Sequence, residues 1–294
     1  MGDKVCLLLR PTCDMIRNKK RGCTMPKKDE QLAIQRRYKV FKSNEIIKAS
    51  KSDFTLKELK VLSFLISMIK RGDSIDKIYE FNISDYWKIA GITKSGKNNK
   101  DIKACLQVLR DKSFWIADGK NKEYTVSWLS KVWIDNEKNK AQVRFDEDIQ
   151  RYIMGVYDDF SAWSLLYELP MASKYSIILY ELAKSYALQG KHKFTLDELK
   201  YKLGATNYTS YKDFRRRALD VAKKEINNFT DIHIEYEPDY KGRKVVAIEI
   251  IITKRDDRGI WRSDYYAEHL LDGQMTLEEI AKEREMLERK EGIK

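Results

Sequence analysis

Apolar and polar positions follow one order twice along this chain: a mostly apolar helix, a short strand, a short helix, a basic amphipathic helix and a β-hairpin. In the first pass, Tyr38 to Ile47 alternates loosely and predicts a strand. Thr55 to Arg71 predicts a helix, because Thr55 and Glu58 form a capping box and Leu59, Leu62, Leu65, Ile66 and Ile69 recur at helical spacing. Val61, Phe64 and Met68 spread the apolar surface around it, so this helix must be buried on several sides. Ile78 to Asn82 predicts a strand. A short helix follows from Ser84 to Ala90, ended by Gly91. Asn98 to Lys112 predicts a helix with Ile102, Cys105, Leu106 and Leu109 on one face. Lys100, Lys103, Gln107 and Arg110 share the other. Segments 114–117 and 124–128 predict a hairpin around Asp118-Gly119-Lys120-Asn121, and segments 132–134 and 141–145 a second one.

Asp146 to Leu169 is too aromatic for a flexible linker and predicts helical segments packed between two modules, ended by Pro170. The second pass starts at Ser173, an N-cap for a helix carrying Ile177, Ile178, Tyr180, Leu182, Ala183 and Tyr186. Lys193-Phe194-Thr195 is a strand. Thr195 and Glu198 open a helix that closes at Gly204. Tyr211 to Phe229 is a long basic helix whose expected buried face is Phe214, Ala218, Val221, Ala222 and Ile226. Strands at 232–236 and 245–252, joined by Pro238 to Arg243, make a second wing. Phe81 to Gly91 and Phe194 to Gly204 align at one offset, and the elements around them share one order, so a duplication explains both. The fold class is α+β: two tandem winged helix-turn-helix modules, 37–150 and 151–255. A flexible basic leader (1–36) and a charged helical or disordered tail (256–294) flank them. Within the tail, Thr276 to Arg289 predicts a helix with few apolar positions.

Charge narrows the function. The 294 residues carry 57 Lys+Arg against 45 Asp+Glu, a net charge of +12. That balance favours a polyanionic partner, nucleic acid or an anionic membrane surface. No apolar run is long enough to span a bilayer, which points to the cytoplasm. Four cysteines without CxxC spacing fit a reducing compartment and give no zinc motif. The three histidines, His192, His233 and His269, are isolated. Gly91 to Asn98 nearly matches a phosphate-binding loop, but Asn98 replaces the hydroxyl residue and a helix precedes it. No catalytic, cofactor or metal site is expected.

The basic helix carries the candidate chemistry. In a helix-turn-helix the second helix enters the major groove. Arginine bridges the two acceptors of guanine, and lysine more often neutralises phosphate. Lys212, Arg216 and Arg217 are candidate base readers, and Lys223 and Lys224 candidate phosphate anchors. Arg215 lies nearer the apolar flank. The plainer reading is a solvated charged face. Lys100, Lys103 and Arg110 repeat the pattern in the first module. Ser173 and Lys174 offer a helix N-terminus for a DNA phosphate, or Ser173 is an ordinary N-cap.

Leu166-Tyr-Glu-Leu-Pro170, Ser173-Lys-Tyr-Ser-Ile177, Phe194-Thr-Leu-Asp-Glu-Leu-Lys200 and Tyr211-Lys-Asp-Phe-Arg-Arg-Arg-Ala-Leu219 resemble the replication initiator (Rep) family of iteron-containing bacterial plasmids. The resemblance covers about residues 38 to 255. It implies binding to double-stranded DNA at directly repeated origin iterons, opening of adjacent AT-rich DNA, and recruitment of the host replication initiator and helicase. It also implies a monomer–dimer equilibrium in which the dimer binds an operator inverted repeat and represses its own gene. By family position the helix with Lys212, Arg215, Arg216 and Arg217 reads the major groove, Ser173 and Lys174 lie by the backbone, and the first module dimerises and contacts a neighbouring groove. Other readings are a winged-helix transcriptional regulator without origin activity, a nuclease or ATP-driven replication enzyme, and a membrane-surface binder.

Overall fold

A computed structural model describes residues 28–49, 53–92, 96–117, 122–154 and 159–291. The first module contains β1 (Lys39–Ser43), α2 (Asn44–Ala49), α3 (Leu56–Ser67), β2 (Tyr79–Asn82), α4 (Ile83–Ile89) and α5 (Gly96–Asp111). β3 (Ser113–Ala117), β4 (Glu123–Ser127), β5 (Leu129–Asp135), β6 (Lys140–Phe145), α6 (Glu147–Ile153) and β7 (Phe160–Ser164) follow. Helix α1 (Lys28–Arg36) precedes them. The second module is α7 (Lys174–Tyr186), β8 (Lys191–Thr195), α8 (Leu196–Lys202), α9 (Tyr211–Phe214), a π-turn (Arg215–Leu219), α10 (Asp220–Phe229), β9 (Ile232–Lys241) and β10 (Lys244–Lys254). Helices α11 (Asp257–Leu271) and α12 (Leu277–Glu291) close the described chain.

The capping signals act where the sequence places them. Thr55 accepts the Glu58 amide while Glu58 accepts the Thr55 amide, starting α3. Helix α3 then buries Leu59, Val61, Leu62, Phe64, Leu65 and Ile66, as its all-round apolar pattern requires. The duplication is visible in backbone detail. Gly91 and Gly204 both take left-handed conformations. Ile92 donates to Trp87 O and Ala205 to Lys200 O at 2.8 Å, closing α4 and α8 with the same six-residue loop. In each module the strand before this helix joins a three-stranded antiparallel sheet, β2-β6-β5 in the first and β8-β10-β9 in the second.

Four expectations change. The strand expected over 38–47 stops at Ser43, whose hydroxyl accepts the Ile46 amide and turns the chain into α2. Asn82, not Ser84, is the N-cap residue of α4. Part of the expected helical segment 146–169 is a strand: β7 pairs antiparallel with β1, Trp163 opposite Val40. That pairing joins residues 160–164, placed by sequence in the second module, to the first strand of the fold. The fourth change concerns the flanks.

The leader expected to be unpacked through residue 36 is a packed helix over its last nine residues; residues 1–27 lie outside the described residues. Arg36 is buried and donates to Ile89 O at 2.9 Å, Lys88 O at 2.9 Å and Asp272 Oδ1 at 2.7 Å. It thereby bonds the last two carbonyls of α4, of which Lys88 O also accepts the Gly91 amide at 3.1 Å. Arg37 reaches Asp264 at 2.6 Å and Glu268 at 2.7 Å. The tail is packed as well. Tyr266, Ala267 and Ile280 form a small core with Leu166 and Phe229. Gly91 lies so close to α11 that a β-carbon there would sit 2.7 Å from the Leu271 carbonyl oxygen. The near-match to a phosphate loop therefore begins at a helix–helix contact; residues 93–95 are outside the described set.

Candidate nucleic-acid interface

Helices α8 and α9–α10 and the hairpin β9–β10 form the helix-turn-helix and wing of the second module. The basic helix is not a continuous α-helix. Between Phe214 and Asp220 it widens into a π-turn, and the Asp220 amide donates to Arg215 O, five residues back. A π-turn accommodates one extra residue, so every later side chain is displaced by about 100° from its α-helical position. This changes which residues point where. Leu219 joins Phe214, Ala218, Ala222 and Ile226 in the core, while Val221, expected there, is half-buried.

The same displacement separates two lysines. Lys223, a candidate phosphate anchor by sequence, turns toward the wing and pairs with Glu235 of β9. Lys224 takes the outward position and is exposed, as are Lys212, Arg215, Arg216 and Arg217. Arg215 pairs with Asp220 (Nε to Oδ2, 3.6 Å) and Arg216 with Asp213 (Nη2 to Oδ1, 3.4 Å). The Lys212, Arg217 and Lys224 side chains make no ion pair among the described residues.

Ser173 is the N-cap of α7. Its hydroxyl accepts the Tyr175 amide at 3.2 Å. The amides of Ala172 and Ser173 both donate to Glu225 of α10 at 3.2 Å. A carboxylate of the basic helix thus holds the place the sequence offered to a DNA phosphate. Lys174 is half-buried, over the Tyr175 ring and 3.4 Å from Gly204 O. In the first module Lys100, Lys103 and Arg110 are exposed on α5 opposite buried Ile102, Cys105, Leu106 and Leu109, as the wheel projection predicts. Arg110 pairs with Asp111 at 2.8 Å. The turn expected at 118–121 lies outside the described residues.

Sequence reasoning placed the second wing at Pro238 to Arg243 without naming any of its residues as a DNA contact. β9 and β10 are longer than predicted and meet at Gly242-Arg243, with Gly242 at φ 64°. Pro238 sits within β9, an edge strand, where a missing N–H is tolerated. Tyr240, Lys241, Arg243 and Lys244 are exposed at the tip. Basic residues flanking a hairpin turn were the available signal. Asp220 and Tyr236, which hydrogen-bond each other across the helix–wing contact, gave none, since their proximity depends on the π-turn.

The histidines serve packing. His192 stacks on Tyr186 with ring centroids 3.8 Å apart, and His269 Nδ1 lies 2.8 Å from Tyr265 O. Burial pushes the His192 and His233 imidazoles below their ordinary value. Among the described residues no group of three His, Cys, Asp or Glu side chains is placed to hold a metal ion, and no helix is long and apolar enough to cross a membrane.

Two family models match the chain. One, described as initiator replication protein WH1, spans residues 39–184, and the other, initiator Rep protein WH2, spans residues 195–252. A 27.6 kDa protein of Escherichia coli, described as uncharacterized, is 23% identical over 232 residues, covering 73% of this chain and 95% of that protein. The crystal structure of the Pi initiator protein in complex with iteron DNA superposes with a TM-score of 0.64 at 19% identity, covering 76% of this chain and 99% of that one. The likeness to that structure shows the shared fold: two winged-helix domains in series. With both of its modules matched, the chain belongs to the family of plasmid replication initiator (Rep) proteins.

Proposed function

We propose that this initiator binds directly repeated double-stranded DNA sites, the iterons of a plasmid origin, and opens the adjacent duplex by binding rather than by catalysis. The observation that carries this reading is the exposed cationic face of α9, the π-turn and α10: Lys212, Arg215, Arg216, Arg217 and Lys224 project from the second helix of a helix-turn-helix, beside a wing tipped with Lys241, Arg243 and Lys244. In this reading the helix enters the major groove, where arginine reads guanine. The wing and the α5 cations Lys100, Lys103 and Arg110 neutralise phosphates. A dimer that occupies an inverted repeat and represses its own gene, and contacts with the host replication initiator and helicase, extend the same reading from the family. So does residence in the cytoplasm, where such DNA lies.

Footprinting on DNA flanking the gene, with binding measured across a salt series, tests it. Protection of evenly spaced repeats that disappears when they are scrambled is the expected result. A salt-steep affinity without sequence preference leaves only the phosphate contribution and refutes base reading. Sedimentation with one-repeat and inverted-repeat duplexes tests the stoichiometry.

A further inference from the structure

Three consecutive arginines face outward on the recognition helix, and they are not held alike. Arg217 has no carboxylate partner among the described residues. Arg216 is tied through Nη2 to Asp213 at 3.4 Å, which engages one of the two nitrogens at the tip of its fork. Arg215 faces Asp220 through Nε, 3.6 Å from Oδ2, an ion-pair contact longer than a hydrogen bond that engages neither Nη group as its nearest atom. Asp220 is itself held: Oδ1 accepts a hydrogen bond from the Tyr236 hydroxyl of β9. Burial and the Asp220 charge push the Tyr236 phenol above its ordinary value, so it remains a donor at neutral pH.

The pairing of residues 215 and 220 is a product of the π-turn. In an α-helix, side chains five apart lie about 140° from each other around the axis and cannot meet. In the π-turn the Asp220 amide bonds to Arg215 O, and the two side chains come to the same side. π-turns are uncommon and cluster at functional sites. Besides seating Leu219 in the core, the turn brings an outward arginine beside a carboxylate anchored on the wing. An arginine held at Nε presents Nη1 and Nη2 as a planar fork, the geometry that matches guanine O6 and N7. Holding the side chain before DNA arrives also removes part of the entropy lost on binding.

We propose that Asp220, anchored by Tyr236, is a positioning residue that fixes Arg215 as the guanine-reading arginine of the run. This rests on the proposed insertion of the helix into the major groove. Arg216 and Arg217 then serve the neighbouring phosphates.

The test is selection of the preferred duplex from a random library with the full chain, followed by base-by-base competition for R215A, R216A, D220N and Y236F. R215A is expected to lose discrimination at one G·C pair by about ten- to hundredfold, the worth of a bidentate contact. D220N and Y236F are expected to weaken discrimination at that same pair by about two- to tenfold, the worth of one pre-ordered long side chain. Their affinity for random DNA, salt slope and far-UV spectrum should match the parent, a combination that a merely structural role does not produce. Full discrimination in R215A, or loss of it in R216A alone, overturns the assignment. Discrimination unchanged in D220N and Y236F overturns the positioning role. A selection that enriches no sequence overturns base reading itself and this inference with it, whereas an enriched sequence indifferent to Arg215 overturns this inference alone.

Discussion

Glu168 has no exposed surface and sits where β1, α3, β7 and α7 meet. The groups that face it are Lys42 of β1, Ser63 of α3, Trp163 of β7 and Glu181 of α7. Lys42 is already committed to Glu181, at 2.6 Å with both side chains nearly buried. Ser63 and Trp163 lie beside the Glu168 carboxyl, yet neither of its oxygens makes a well-formed hydrogen bond. Burial, reinforced by the Glu181 charge, pushes the carboxyl up to about 8. An unfolded glutamate ionises near about 4.3. Between those values the folded state holds a proton that the unfolded state has lost, so stability falls as pH rises through this window. At about 1.4 kcal/mol per unit the upper bound is about 5 kcal/mol. Glu168→Gln supplies a neutral isostere and removes the dependence. Melting curves between pH 5 and 8 should show the parent losing stability while the variant changes less, with the variant the more stable of the two at pH 8. The scan stops there because burial lowers Lys60 to about 8. A lowered lysine makes stability rise with pH above that point. Parallel profiles for the two proteins, or a variant weaker at every pH, would refute the argument.

Three further outcomes are expected. Lys224→Ala should reduce the slope of log affinity against log salt by about 1, while Lys223→Ala leaves the slope unchanged and costs less than about 1 kcal/mol of stability, since its partner Glu235 is partly exposed. Arg36→Ala strips three hydrogen bonds from a nearly buried guanidinium; denaturant titration should show a loss of about 2–4 kcal/mol, with faster hydrogen exchange in α11. Cys105 is buried and its thiol pushed up to about 11 by burial, so alkylation at pH 8 followed by peptide mapping should find it the slowest cysteine to react.

What could be read from the sequence was what short stretches determine. Thr55 with Glu58, Thr195 with Glu198 and Thr276 with Glu279 start helices through bonds made within four residues. The cationic surface of Lys212 to Arg217 was legible too, because up to the π-turn exposure follows from the local period, whereas Lys223 and Val221 beyond it point elsewhere than that period predicts. The pieces that escaped depend on distant partners. Phe160 to Ser164 becomes a strand because β1 lies beside it. Arg36 reads as one more basic residue of a leader until Asp272, 236 positions later, supplies its counter-charge. The π-turn escaped for a different reason: Phe214, Ala218, Ala222 and Ile226 fit the apolar face of a plain α-helix as well, and the wider turn shows itself in the burial of Leu219 and the contact with β9, neither of which the local pattern signals.

The recognition helix is fixed on every side that does not face outward. Behind it, Glu225 receives the Ala172 and Ser173 amides at the start of α7, and Glu225 in turn favours the charged form of Lys60 on α3. Along the wing, Asn227 exchanges two hydrogen bonds with the backbone of Ile234, Lys223 meets Glu235, and Tyr236 meets Asp220. At its C-terminal end Arg284 of α12 donates to the Asn228 carbonyl at 2.6 Å and Arg255 to the Asn227 carbonyl. The polar side chains that bind the helix to the protein are thus distinct from Lys212, Arg217 and Lys224, which are left for an anion. A helix held this way loses little further freedom on meeting DNA. Because α3 of the first module and α12 of the tail both share in holding it, a substitution far from the exposed cationic face, at Lys60 or Arg284, is expected to change DNA affinity by shifting the helix as a body rather than by removing a contact, which binding of the origin duplex by the two alanine variants checks.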